Sequence, residues 1–528
     1  MYKIIRDPIY SEIKLNVLEL LIIDTPLFQR LRYISQLVGT SWVFPASTHN
    51  RFSHSLGVLH IASLYSSHLF KDNVFKQVVI RLAALLHDIA HGPFSHQFDD
   101  TIYKSLNIVN GHDGFRKKVI SEFLHIFIIK KLVSNYDLFF KVKEFIFKLD
   151  FPEEFKNFRI EDFYGNFIND FNNIIDAKRD FDEIFENELI YVIKGVLFIL
   201  KEVLGIYEKK GSVENNIIQG PFGADRLDFI RRDTYFSGAT GFSTGSFDRI
   251  IFNTKVIQNK LAYHVKTFDE IFSVLFGRFM MYKNVYFHKT SRGVDLLIQE
   301  ILKNSIDIFK EIGLDYKKIL CDLDLFVNLT DDFVINTIYN LFLNKEKFKN
   351  SKIKEKLEYS FYLINSLKGR NIFKLILEKY IYQDTTLENL KNGFKKFLIK
   401  NNIKNNNKIL RDLLDNFDEV FIFDLSEEVK LFDPMDIQKH NIFLYNEFNE
   451  LISFKDFVKS NPIYDIKMKE IRIFRIYIRD FIFNFNKELR DKLGSYFEIV
   501  KYLREFIWKN RKKLDKFIRG ESKFLLKS

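Results

Sequence analysis

An aspartate directly follows a histidine inside an otherwise apolar run, Val78–Ile89, where Leu86 and Ile89 flank His87-Asp88. The run has helical spacing, in which consecutive side chains stand about 100° apart. An imidazole and a carboxylate at its end are therefore aimed at one centre from neighbouring faces and can share a cation. His91 follows one turn after His87 on the same face. Gly92-Pro93 predicts a helix stop and a new helix start carrying Ser95 and His96, so the turn brings three histidines around one spot. A second segment upstream, Asn50–Val58, holds His54 between Arg51-Phe52 and Gly57, and the glycine permits close approach of a helix. Eight of the twelve histidines lie between His49 and His112. Far downstream, Ala224-Asp225-Arg226-Leu227-Asp228-Phe229-Ile230-Arg231-Arg232-Asp233 spaces acids and bases at helical intervals, a second source of carboxylate.

The dominant period elsewhere is also helical, as over 115–135, 265–315 and 465–515. Strand-like alternation is local: Lys3–Ile5 with Glu12–Lys14, Ser41–Phe44, Ile250–Val256 with Lys260–Val265, and Val420–Leu425 with Asn441–Tyr445. These patterns predict a mainly α protein with small hairpins. The Asn/Lys-rich stretch Lys400–Lys408 reads as a flexible loop between C-terminal subdomains.

With 528 residues, 47% hydrophobic and 28% charged, the chain is long enough for two or three domains around a substantial core. A lone cysteine, Cys321, cannot make an internal disulfide. The N-terminus lacks the h-region of a signal peptide, and no apolar run reaches the roughly 18 residues of a membrane span, so a cytoplasmic protein without membrane partners is expected. The net charge is +11, and residues 501–528 hold ten Lys or Arg against three acids. Such a balance suits polyanionic small molecules and leaves nucleic acid open as a partner. No Gly-x-x-x-x-Gly-Lys-Ser/Thr or Gly-x-Gly-x-x-Gly phosphate loop occurs, so phosphates must be held by metal and cationic side chains.

Together with Asp24–Leu37, Phe44-Pro45-Ala46 and the Tyr286–Lys289 and Arg370–Lys374 stretches, the histidine segments and the Asp225 helix resemble the HD-domain phosphohydrolases. Within them the chain is similar to the deoxynucleoside triphosphate triphosphohydrolases, a group that includes the SAM-and-HD-domain dNTPase of animals and prokaryotic relatives. Residues 1–300 carry the resemblance well and 300–450 sparsely, with the SAM domain expected to be absent. The resemblance implies an HD-domain helical core over 1–330 with the metal and substrate site. A regulatory or assembly subdomain over 331–455 and a basic helical extension over 456–528 complete the expected C-terminal α(+β) part.

It also implies His54, His87, Asp88 and Asp225 as ligands of one divalent or transition metal ion, with Fe, Mn, Zn or Ni all compatible, and Mg on the nucleotide phosphates. His112 would be the general acid, supported by His96 and Asp99, with His91 contacting phosphate. Arg51, Arg226 and Arg278 would hold the triphosphate, for which guanidinium is well suited. Gln36 and Asp233 would bind the 3′-hydroxyl while Leu37 and Tyr286 wall the sugar. Phe229 and Phe287 depart from the polar residues expected near the nucleotide. Lys3, Asp24, Gln29, Arg32, His288, Lys289, Arg370 and Lys374 match an activating GTP or dNTP site between subunits of a homodimer or homotetramer. Asp24-Thr25-Pro26 also reads as a plain helix start with Asp24 as its cap. Two other functions stay open: a different HD-superfamily phosphohydrolase acting on monophosphates, cyclic nucleotides or alarmones, and a nucleic-acid-binding protein using the basic tail.

Overall fold

Helices begin where the sequence supplies caps. Asn50 accepts from Ser53 N–H at the head of α1 (Arg51–Leu69), and Asn73 accepts from Lys76 N–H at the head of α2 (Val74–Leu86). The computed structural model describes residues 3–163, 183–242, 246–382, 384–405, 408–427, 442–461, 463, 471–480 and 495–518. β1 (Lys3–Asp7) and β2 (Ser11–Leu15) form the predicted N-terminal hairpin, in antiparallel register from Lys3 opposite Leu15 to Asp7 opposite Ser11. α1 packs on α2 and, across the site, on α4 (Ala224–Ser237), while the long α3 (Glu183–Glu208) packs behind α2. Gly57 is the closest approach: a Cβ there would strike the Asp228 carboxylate and the Arg232 guanidinium of α4. A side chain at 57 would push α4 away from His54.

Next come β3 (Thr254–Ile257), β4 (Lys260–His264), α5 (Phe268–Met281) and the amphipathic α6 (Lys289–Glu311). The remaining elements are β5 (Lys374–Ile381), β6 (Phe421–Leu425), β7 (Phe443–Tyr445), β8 (Leu451–Ser453), β9 (Arg472–Ile478), α7 (Tyr496–Lys509) and α8 (Arg511–Ile518). The protein is mainly α, as expected. One large core runs from Ile13 to Tyr477, and a second is made by β5, β6 and β9 with the helices that cover them, among them Phe394, Phe397, Leu503 and Leu514.

Several local expectations fail. Val38–Trp42 is a 3-10 turn and not part of a strand, because Gly39 is pressed against α6, its N–H donating to Asp295 Oδ1 at 3.1 Å. The 250–265 hairpin forms, but only from Thr254, since Phe247–Phe252 is helical. Strands occur near 421–425 and 443–445, with Asn441 outside the described residues, yet they do not pair with each other. β7 runs parallel to β4 and β6 antiparallel to β9. The supposedly helical 465–515 contains β9, whose Arg-Ile-Phe-Arg-Ile-Tyr-Ile is covered on both faces as the middle strand of β5-β9-β6. A continuous buried run has no period that separates strand from helix; 465–470 and 481–494 lie outside the described residues. The predicted loop at 400–408 is helical to Asn405, because Leu390, Phe394, Phe397 and Leu398 bury one face of helix Leu387–Asn405.

Candidate active site

α1, the end of α2 and the start of α4 bring His54, His87, Asp88 and Asp225 to one point. The Nε2 atoms of His54 and His87 face each other at 3.3 Å. Asp225 Oδ1 lies 3.1 Å from the first and 3.7 Å from the second, while Asp88 Oδ1 lies 3.3 Å from His87 Nε2 and Asp88 Oδ2 3.7 Å from His54 Nε2. His54, His87 and Asp225 offer ligand atoms within 4.8 Å of one another. Two imidazole nitrogens pointed at each other between two carboxylates make a donor set that fits a cation.

The outer bonds leave the Nε2 atoms free for that role. His87 Nδ1–H donates to the Ala84 carbonyl at 2.8 Å, and His54 Nδ1–H donates to Asp228 Oδ2 at 2.8 Å. Asp228, one turn after Asp225, is wholly buried and accepts from Arg232 Nε (2.9 Å), Arg232 Nη2 (3.1 Å) and Tyr10 Oη (2.8 Å). Arg232 also donates to Asp7 Oδ2 at 3.0 Å, so the N-terminal hairpin is tied into this layer. Burial pulls the His54 imidazole down, but hydrogen bonds to Asp225 and Asp228 outweigh it and bring its pKa up to about 10. The position thus strongly favours a bound positive charge, proton or metal. Burial also opposes the ionised form of Asp88, yet His87 and Arg51 hold its carboxyl well below the usual range.

The second turn, 91–112, builds a histidine wall beside Asp88. The His112 ring stacks on His91 with centroids 3.5 Å apart. Asp99 Oδ1 takes the His112 backbone N–H at 3.1 Å, and its Oδ2 takes His112 Nδ1–H at 2.8 Å. His96 Nδ1 shares Asp99 Oδ2 at 3.1 Å from the exposed rim. These bonds, against the opposing effect of burial, keep Asp99 ionised. His91 is completely buried, and burial together with Arg51 pushes its pKa well down, so it is neutral. The helix expected to carry Ser95 and His96 begins at His96, with Ser95 at its cap position in a left-handed backbone (φ 52°). Asp331, from a helix far along the chain, supports this turn by accepting from Phe94 N–H at 2.6 Å and Ser35 N–H at 3.0 Å.

Both clusters open into one cleft of about 510 Å³. Arg51 lies at its metal end, fixed by Asp88 Oδ2 (2.7 Å) and Ser95 Oγ (2.9 Å). Gln36, Leu37, Asp233 and Tyr286 line it, with Phe229 and Phe287 beside them. Asp233 accepts from Tyr286 Oη at 2.6 Å and pairs with His49 Nε2 at 2.8 Å, while Gln36 Oε1 is buried with no hydrogen-bond partner among the described residues. Arg226 and Arg278 are absent from the lining. Arg278 sits over the Tyr282 ring at 5.4 Å, and Arg226 lies within electrostatic reach of Tyr263. Arg292, Asp295, the last residue of β6, Leu425, and the two that follow it, Ser426 and Glu427, also line the cleft. The sequence reading assigned no role to Asp228, Arg232, His49 or Asp331. The first two were visible as the i+3 and i+7 partners of Asp225, and His49 as one of the clustered histidines; Asp331 had no local signal.

The residues expected to bind an activator lie in separate surroundings. Arg32 Nε donates to Gln29 Oε1 at 2.7 Å and its guanidinium covers Phe52, while Gln29 Nε2 donates to Ile23 O. Asp24 is not the helix cap: it ends Val17–Ile23, and Thr25 caps Pro26–Gln29 by accepting from Phe28 N–H, since its hydroxyl is the one placed to reach that donor. Lys3 starts β1 and Lys374 starts β5, Arg370 donates to Trp42 O at 3.2 Å, and His288-Lys289 form the head of α6.

Residues 51–150 match the HD domain family, so Asp225 reaches the site from outside the matched span. The chain is 24% identical over 388 residues to the deoxynucleoside triphosphate triphosphohydrolase SAMHD1 homolog of Dictyostelium discoideum, covering 72% of this chain and 61% of that protein. To human deoxynucleoside triphosphate triphosphohydrolase SAMHD1 it is 26% identical over 393 residues, 71% of this chain and 55% of that one. The chain thus spans less than two thirds of the length of these relatives. A hypothetical protein from Aquifex aeolicus of known structure superposes with a TM-score of 0.54 at 25% identity, over 94% of this chain and 100% of its own. A segment of the chain thus matches the HD domain, and SAMHD1-like relatives are about 25% identical to it over most of its length. Among the described residues no helix is long and apolar enough to cross a membrane.

Proposed function

We propose that the protein is a metal-dependent dNTP triphosphohydrolase, converting dNTP and water to deoxynucleoside and inorganic triphosphate. The observation that carries this reading is the two-ended cleft, with Asp88, Asp225 and Arg51 at one end and Gln36, Leu37, Asp233 and Tyr286 along its wall. The SAMHD1-like relatives support it.

His54, His87, Asp88 and Asp225 would hold the ion. Bound there, a divalent or transition metal would supply Lewis-acid polarisation of a phosphoryl oxygen and would lower the pKa of water. Arg51, already oriented by Asp88 and Ser95, binds the phosphates; Arg226 and Arg278 act on them only after reorienting. His112 donates the proton to the leaving 5′-oxygen as the bond from that oxygen to the α-phosphorus breaks and the bond from water to phosphorus forms. Asp99 accepts from Nδ1–H and so orients the imidazolium form of His112, whose Nε2–H faces the substrate, 4.0 Å from Asp88 Oδ1. His91 stays neutral and packs the His112 ring in place. Asp233, set by His49 and Tyr286, receives the 3′-hydroxyl beside Gln36, and Leu37 leaves little room for a 2′-hydroxyl.

Incubation with each dNTP plus Mn or Fe, with products separated by ion exchange, tests this. Deoxynucleoside and triphosphate are expected, and Asp88→Ala should lower the rate by about 10³-fold or more with bound metal lost by elemental analysis. Monophosphate with pyrophosphate, or a rate indifferent to Asp88, overturns the reading. Activation by GTP or dNTP at a homodimer or homotetramer interface, through Lys3, Asp24, Gln29, Arg32, Arg370 and Lys374, belongs to the same proposal. It predicts a nucleotide-dependent shift on gel filtration and a lag in product formation; absence of both removes it.

A further inference from the structure

Among the described residues β5 is an edge strand that pairs with β9 alone, and its Leu375 carbonyl takes Arg504 Nε and Nη2 of α7 at 3.0 and 2.7 Å. From Ile376 to Tyr382 every residue of the segment lines a groove of about 760 Å³, and α7 and α8 form the opposite wall. Consecutive strand residues face opposite ways, so lining by all seven means that the groove runs along the strand's edge. The rim is aromatic and exposed: Tyr380 is 44%, Tyr382 58% and Trp508 67% accessible. The far wall is basic, since residues 501–518 hold seven Lys or Arg against two acids, with Arg511 and Lys512 facing the groove.

Native proteins normally cover or blunt such an edge, and an edge left open beside a groove is a template for an added strand. We propose that the groove binds an extended acidic segment of a partner protein, added alongside β5 as a fourth strand of the β5-β9-β6 sheet. The partner's backbone meets the strand edge, its carboxylates meet Arg511 and Lys512, and its alternate side chains pack on Ile376, Ile381 and Ile507 or against Trp508. Single-stranded nucleic acid would use the basic and aromatic rim, but it has no peptide groups to pair with the outward N–H and C=O groups of the strand edge.

The test uses the full chain and a fluorescein-labelled seven-residue peptide of alternating Glu and Val, followed by anisotropy. Two analogues carry N-methyl groups on the odd or on the even amides. Saturable binding is expected, with one analogue weaker by about tenfold because its strand-pairing donors are gone. The double variant Arg511→Glu/Lys512→Glu is expected to bind the parent peptide about tenfold more weakly while its dNTP hydrolysis and circular dichroism match the parent chain. The proposal falls if the peptide does not bind, if both methylated analogues bind like the parent, or if a twelve-residue oligothymidylate binds more tightly and displaces it.

Discussion

In the cleft the wholly or nearly wholly buried side chains include His54, Asp88, Asp228, Arg232 and Asp233, whereas in the C-terminal sheet they are Ile376, Phe394, Phe397, Phe474, Leu503 and their like. A charge taken out of water must be matched bond for bond, so each cleft residue is held by directional contacts such as Asp228 to His54, Arg232 and Tyr10. Apolar packing is less directional and tolerates rearrangement of shape. The C-terminal sheet breaks its own rule where it meets the cleft. Arg475 donates from Nε to Glu378 at 2.7 Å and from Nη2 to the Phe287 carbonyl, and Asp424 binds Arg292 at 2.8 Å. Phe287 and Arg292 line the cleft, so the sheet's few buried charges are the ones that join it to the site.

The largest effect on this contrast should come from Arg475→Ala, which removes a buried guanidinium, frees the exposed Glu378 to solvent and takes from buried Asp424 one of its two arginine neighbours. Loss of a partner from a buried pair costs about 3–5 kcal/mol, to be read from urea unfolding. A cost under about 1 kcal/mol would mean that the sheet joins the cleft by packing alone.

A smaller effect distinguishes cleft charges that are matched from those that are not. Burial raises Asp331 to about 6, against opposing hydrogen bonds from Phe94 and Ser35. The folded state therefore binds the proton more tightly than the unfolded chain, so stability falls as pH rises from about 4 to 6, by at most about 3 kcal/mol. Asp331→Asn removes that slope, and thermal melts across this pH window should show the gap between the two proteins shifting in favour of the variant. A constant gap would show Asp331 to be ionised throughout.

Asp228→Asn is the mildest, since the amide preserves size and one hydrogen bond. Its expected cost is about 10–100-fold in metal affinity, measured by competition with a chelator. Unchanged affinity would make Asp228 a packing residue of α4 only.

Much of the site was legible because its parts are local. His87, Asp88 and His91 share one helix end, His96, Asp99 and His112 share the following turns, and Asp225 and Asp228 share one face of α4. Spacing on a helix converts directly into direction in space. Where Arg226 and Arg278 point was not legible, for the converse reason: long side chains find their partners across the fold, and spacing does not say which.

The strands divide in the same way. The β1–β2 and β3–β4 hairpins are short-range and were read at once, while β4 with β7 and β6 with β9 join residues far apart. By itself the sequence determined the helical character, the His-Asp centre and the short hairpins, all set by periodicity and nearby chemistry. The tertiary structure alone decided which distant strands pair, that Asp331 braces the 94–95 turn, and that the end of β6 lines the cleft. Those depend on what a buried backbone or carboxylate meets after the chain has folded back, and no local pattern carries that information.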